Sequence, residues 1–141
     1  MMSVKPYAVY LVVVLLLLAG CAPAPSTRPG VRIDSAMLFQ PTPKAAESLW
    51  QQAEREKAAG NLPAAIAIWN RIAQTYPNNI IAARALYEVA HIHLQQGDAP
   101  KSLSYLDYLI YHYSQWEGMP RARLDQMRAW SMSGRDKQVQ K

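Results

Sequence analysis

The sequence predicts an all-α chain: two helical hairpins and one further helix, behind an N-terminal targeting segment and an extended tether. Three observations lead there. The form Gly-[Asn/Asp]-x-Pro occurs at Gly60-Asn61-Leu62-Pro63 and again at Gly97-Asp98-Ala99-Pro100, 37 residues later. Apolar residues on both sides of these turns recur at intervals of three and four, which places them on one face of a helix. No stretch shows the sustained alternation of a half-buried strand.

The first element is a targeting segment. Lys5 supplies a positive start, Ala8 to Leu18 an uncharged apolar run, and Ala19-Gly20 the small residues before a cut. That run has about 11 residues, and a bilayer-spanning helix needs roughly 20. The tetrapeptide Leu18-Ala19-Gly20-Cys21 follows at once and resembles the bacterial lipobox, whose cysteine is acylated (by palmitate among other chains) and becomes the mature N-terminus. The resemblance implies residues 1–20 as a lipoprotein signal peptide and Cys21 as the lipidation site. Each lipid methylene buried in a membrane contributes about 0.8 kcal/mol, so one chain holds marginally and several hold durably. Ala22, where an Asp would signal inner-membrane retention, implies export to the outer membrane, with the domain on its periplasmic face.

Residues 21–43 form the tether. Pro23, Pro25, Pro29, Pro41 and Pro43, with Ser, Thr and Gly30 among them, give a semi-rigid extended spacer. Twenty-odd residues at about 3.3–3.6 Å each reach roughly 70–80 Å. Val31 to Phe39 is more apolar than a spacer requires: it either packs back on the domain, the favoured reading, or is a short recognition segment.

The helices follow in order over residues 44–134. Lys44 to Ala59 presents Ala46, Leu49, Trp50 and Ala53, with Thr42-Pro43 as a start signal. Pro63 to Tyr76 presents Ile66, Trp69, Ile72 and Ala73; Asn79 to Gln96 presents Leu86, Val89, Ala90 and His93. Pro100 to Tyr113 presents Leu103, Leu106, Leu109 and Ile110, and a fifth helix, Arg121 to Ser133, presents Leu124, Met127 and Trp130. In each hairpin turn the glycine suits a left-handed helix end, Asn or Asp caps the next helix, and proline fits its first turn. Gly134, another 37 residues on, reads as the start of a third turn, and residues 135–141 as a basic disordered tail.

Composition excludes several function classes. The single cysteine forbids an intramolecular disulfide, a thiol metal site and a redox pair. The net charge of +5 is uneven. Ala22 to Pro120 holds eight Lys/Arg and eight Asp/Glu, whereas the last 21 residues hold six basic residues against Asp125 and Asp136. That end either attracts an acidic protein face, anionic lipid or wall polymer, or is a solvated helix and tail. Nucleic acid is not an expected partner, since the charge is modest and the destination lies outside the cytoplasm.

The repeat resembles the tetratricopeptide (TPR) family, whose pattern runs W-x2-L-G-x2-Y, then A-x3-F, then P. Ala65 and Trp69 form the small-x3-aromatic pair, Ser102 and Leu106 a weaker one, and Pro77 in Tyr76-Pro77-Asn78-Asn79 is the late proline. Leu49 and Leu86 take the first large position, Ala53 and Ala90 the small one. Glu56 and His93 replace the usual Tyr, Ser114 replaces the second proline, and 37 exceeds the family's period. The resemblance implies two TPR-like hairpins, a C-terminal capping helix and a concave groove lined by the first helix of each pair. Carried over by position, the groove residues are Glu47, Trp50 and Glu54; Arg84, Tyr87 and His91; and Arg121, Leu124 and Arg128. Trp50 and Tyr87 are equally readable as core between repeats. Tyr105, Tyr108 and Trp116 form a second candidate surface, or a support for the last helix.

No catalytic set emerges. His91 and His93 are two apart and point different ways on a helix, and His112 stands alone. Catalytic residues, metal ligands and cofactors are accordingly expected to be none, and the chain is expected not to be an enzyme. With its lipobox and Pro-rich tether it is similar to the small TPR lipoproteins, of the LpoP type, that activate class A penicillin-binding proteins. That likeness implies an envelope protein as partner and the membrane as anchor through Cys21. A pilotin-like or outer-membrane assembly accessory, a wall-polymer binder, and a homodimer covering the open end of the array are the other readings.

Overall fold

The computed structural model describes residues 36 and 38–139. The targeting segment, Cys21 and the tether as far as Ser35 lie outside the described residues, as do residues 140 and 141. The described chain is all-helical, with five helices and no strand: α1 (Lys44–Ala58), α2 (Leu62–Thr75), α3 (Ile80–Gln95), α4 (Ala99–His112) and α5 (Met119–Val139).

The two Gly-[Asn/Asp]-x-Pro turns are the same object. Gly60 and Gly97 both adopt φ +80°. After α1, Gly60 N–H donates to Lys57 O and Asn61 N–H to Glu56 O; after α3, Gly97 N–H donates to Leu94 O and Asp98 N–H to His93 O. These paired bonds close the last carbonyls of each helix in a Schellman motif, which requires a left-handed residue where only glycine is unstrained. The caps that follow differ. Asp98 Oδ1 accepts from Lys101 N at 3.2 Å, whereas Asn61 turns its amide to Glu56 Oε2 at 2.8 Å and caps nothing.

Short reversals make neighbouring helices antiparallel, and each helix packs on the next in sequence. Helix α3 also touches α5. It therefore lies inside the stack and buries opposite faces in two clusters. Ile81, Ala85, Val89 and Ile92 meet Trp69 and Ile72 of α2 and Ala46 and Ala53 of α1. Ala82, Ala83, Leu86 and Ala90 meet Leu106 and Leu109 of α4 and Ala122 of α5. Alanines at the crossings let the backbones approach closely.

Of the segment Val31 to Phe39, residues 31–35 and 37 lie outside the described residues; its end is held through one residue. Leu38 is buried in the second of these clusters while Phe39 is exposed. Polar bonds fix it: Ile80 N–H donates to Leu38 O at 3.0 Å, and the buried Asn79 donates to Gln40 O while accepting from Ile81 N at the start of α3.

Helix α5 departs from expectation in two ways. Gly134 does not open a third turn. The helix continues through it to Val139, because neither a cap residue nor a proline follows to stop it. The face expected to be buried is also the wrong one. Leu124, Met127 and Trp130 are 45%, 58% and 54% exposed, and α5 packs instead through Met119, Ala122, Asp125 and Ala129. Spacing marked a real stripe, but the small-residue stripe beside it permits closer packing against α3 and α4.

Candidate interaction groove

Helices α1, α3 and α5 together line a concave cavity of about 640 Å³. Its walls are Trp50 of α1, Arg84, Tyr87 and Glu88 of α3, Trp116, Glu117 and Gly118 of the α4–α5 turn, and Arg121 of α5. Trp50, Arg84, Tyr87 and Arg121, placed in one groove by the 37-residue interval, thus share one surface. A smaller depression of about 200 Å³ continues it past Thr42, Glu47, Trp50 and Arg84. His91 and Arg128 line a separate hollow with Leu94, Gln95 and Met132. Leu124 and Glu54 line none of these, and Leu124 stands on the outer face of α5.

The cavity side chains are held by packing. The Arg84 guanidinium lies 4.5 Å from the centre of the Trp50 ring, and Trp50 in turn tilts against the buried Trp69, ring centres 5.9 Å apart. Tyr87 is wedged between Trp116 and His91, at 5.4 and 5.7 Å between ring centres. Trp50 and Tyr87 are half-buried, so each serves the packing between helices and the cavity wall at once. On the far side Lys57 Nζ meets Glu88 Oε2 at 2.7 Å, which takes one of the two acidic groups in the wall.

Beneath the groove sits a residue that the periodicity did not single out. Asp125, 2% exposed, accepts from the Tyr87 hydroxyl at 3.1 Å and meets His91 Nδ1 at 2.8 Å through Oδ2. Its Oδ1 accepts from Arg128 at 3.0 Å. A buried carboxylate is tolerated only when its lone pairs are used, and here three donors from two helices use them. Burial, and then the Asp125 charge, push the Tyr87 hydroxyl up to about 12, so it stays a neutral donor at physiological pH. The other ring nitrogen of His91 meets Gln95 Nε2 at 3.0 Å. Both histidine nitrogens are thus occupied by structure, and the His91–Asp125 pair ties α3 to α5. The signal for Asp125 was in the sequence: it sits between Ala122 and Ala129 at intervals of three and four, one acid within a small-residue stripe.

Trp116 was read as a surface residue or a support, and it is both buried and part of the wall. It is 7% exposed, and its Nε1 finds no acceptor. Gly118 makes room for it, since a methyl group at that position would overlap the indole ring. Tyr105 and Tyr108 line a different depression, with Pro77 and Leu86 between α2 and α4. Among the described residues no cluster of His, Cys, Asp and Glu is arranged to hold a metal.

Two arginines and three aromatic rings around a partly open cavity suit an extended segment with acidic and apolar side chains. Such residues are the usual anchors of protein interfaces. Comparison with protein-family models, curated proteins and solved structures finds no match to this chain.

Proposed function

We propose that this chain is a TPR-like protein-interaction module, held by lipid on Cys21 at the periplasmic face of the outer membrane, and that its groove captures a segment of an envelope protein. One observation carries the reading. Trp50, Arg84, Tyr87 and Arg121 come from three helices at matching positions of the repeat and line one cavity. The tetratricopeptide reading rests further on the shared turn at 37-residue spacing and on helices packed in sequence order. No described helix is long and apolar enough to cross a membrane; the anchor in this reading is lipid on Cys21, which rests on Leu18-Ala19-Gly20-Cys21 after the apolar run.

A class A penicillin-binding protein is the leading partner, and the module regulates its synthase. The tether favours a second reading. A reach of roughly 70–80 Å suits a partner that projects far from the inner membrane, or one in the same membrane, as for a pilotin or assembly accessory. Capture from solubilised envelopes by the full chain, compared with the Trp50→Ala/Arg84→Ala variant, tests both. Loss of two anchors lowers affinity by about 30-fold or more. Recovery of a synthase that depends on both residues supports regulation, and recovery of a secretin or barrel-assembly protein supports the accessory. Capture unchanged by the double substitution removes the groove from the argument, and an unacylated native N-terminus removes the location.

A further inference from the structure

The exposed face of α5 has no use in the groove. Leu124, Met127 and Trp130 follow at intervals of three and form one strip along the helix, and none of the cavities described above includes them. The strip is bordered by charge of one sign. Arg123 lies four residues before Met127 and seven before Trp130, and Arg128 lies four after Leu124; both are exposed. Between Met119 and Gly134 there are three arginines and one acid, and that acid is Asp125, which is buried and turned inward. Arg128 is paired with Asp125, so the charge on the rim is carried chiefly by Arg123, and the outer face of this stretch is apolar and cationic with no exposed carboxylate of its own.

We propose that this face lies on an anionic lipid surface, with Leu124, Met127 and Trp130 entering the headgroup boundary and Arg123 meeting lipid phosphates. Apolar groups on a convex helix face, rimmed by arginine and including a Trp, are the arrangement of helices that lie in the membrane plane. Arginine stems extend along apolar surface while their heads stay at the phosphates. A second copy is a poor occupant, because a two-fold contact would bring two cationic rims together without a carboxylate between them. The proposal does not rest on the groove reading. It adds a second attachment point, which would hold the array against the membrane instead of leaving it at the end of the tether.

The test uses the full chain reconstituted in vesicles of phosphatidylcholine alone or mixed with phosphatidylglycerol, with bromine on the acyl chains to quench buried tryptophan. Quenching is expected in the anionic vesicles, absent in the neutral ones, and lost in Trp130→Phe, which leaves the other three tryptophans in place. Arg123→Glu is expected to shift the docked population by about tenfold or more, and high salt to act in the same direction. Quenching that is equal in both lipids, or unaffected by Trp130→Phe, overturns the proposal. So does a dimer in neutral detergent that Met127→Ser dissociates, since that would assign the face to a second copy.

Discussion

The first hairpin, α1–α2, and the second, α3–α4, are built on one turn and differ in what they bury. Both turns place glycine at φ +80° and close the preceding helix with the same pair of bonds. Yet α1 buries only Ala46 and Ala53, whereas α3 buries nine residues on two faces. The turn is local chemistry and repeats wherever its four residues recur. Burial depends on place in the stack, and an end helix has a neighbour on one side only. The stack of five described helices is therefore uneven, with α3 as its centre.

The largest expected effect compares Trp69 with Leu106, equivalent positions 37 residues apart and both fully buried. Trp69→Ala should cost about 3–5 kcal/mol and Leu106→Ala about 2–5 kcal/mol, by lost transfer energy and the cavity left behind. They lie in different clusters joined through Tyr105, which packs against both, so the shortfall of the double variant from the sum measures the coupling between hairpins. Denaturant unfolding checks this. If Trp69→Ala splits the transition and Leu106→Ala does not, the end hairpin unfolds on its own and the stack is less cooperative than its packing implies.

The next effect compares the two polar links that α3 makes. Toward α1 it offers Glu88 to Lys57, at 22% and 38% side-chain exposure; toward α5 it receives the buried Asp125 on Tyr87 and His91. Lys57→Ala should cost less than about 1 kcal/mol, since water screens an exposed pair and ordering the side chains offsets most of the gain. Asp125→Ala should cost about 1–3 kcal/mol, because it removes the acceptor shared by the half-buried Tyr87 and His91 and leaves a gap where a buried side chain was. Equal losses at the two positions, read by thermal unfolding, would show that the carboxylate is less enclosed than its hydrogen bonds indicate.

The same contrast explains what was legible in the sequence. The boundaries of α1 to α4 were, because Gly60, Gly97 and the prolines after them are punctuation with a local cause, whereas α5 runs from Met119 through Gly134 to Val139. The faces of α2 to α4 were, because Trp69, Ile72, Val89, Leu106 and Leu109 are large and apolar where they are buried. The wall of the cavity was legible in part, since a fixed interval carried Trp50, Arg84, Tyr87 and Arg121 into one place. The packing face of α5 was not. Its buried stripe is Ala122, Asp125 and Ala129, which carries little hydropathy, while the larger Leu124, Met127 and Trp130 face outward. Periodicity reports that a stripe exists, and cannot say which of two stripes meets the protein. Trp116 escaped for another reason: it lies in a turn, where no period applies, and the room made by Gly118 is a three-dimensional fact.

The smallest effect tests the part that the hairpins share. A Cβ at Gly60 or Gly97 would meet nothing within 4 Å, so substitution is opposed by backbone conformation alone. The left-handed region costs a non-glycine residue about 1–2 kcal/mol, and Gly60→Ala and Gly97→Ala should each lose close to the lower figure. Packing differs between the hairpins, yet these two losses should agree within about 0.5 kcal/mol, the precision with which independent sites add. Denaturant midpoints of the two single variants decide the matter. A loss at Gly97 well above that at Gly60 would mean that the second turn also positions the Asp98 cap on Lys101, and that the turns are equivalent in backbone but not in energy.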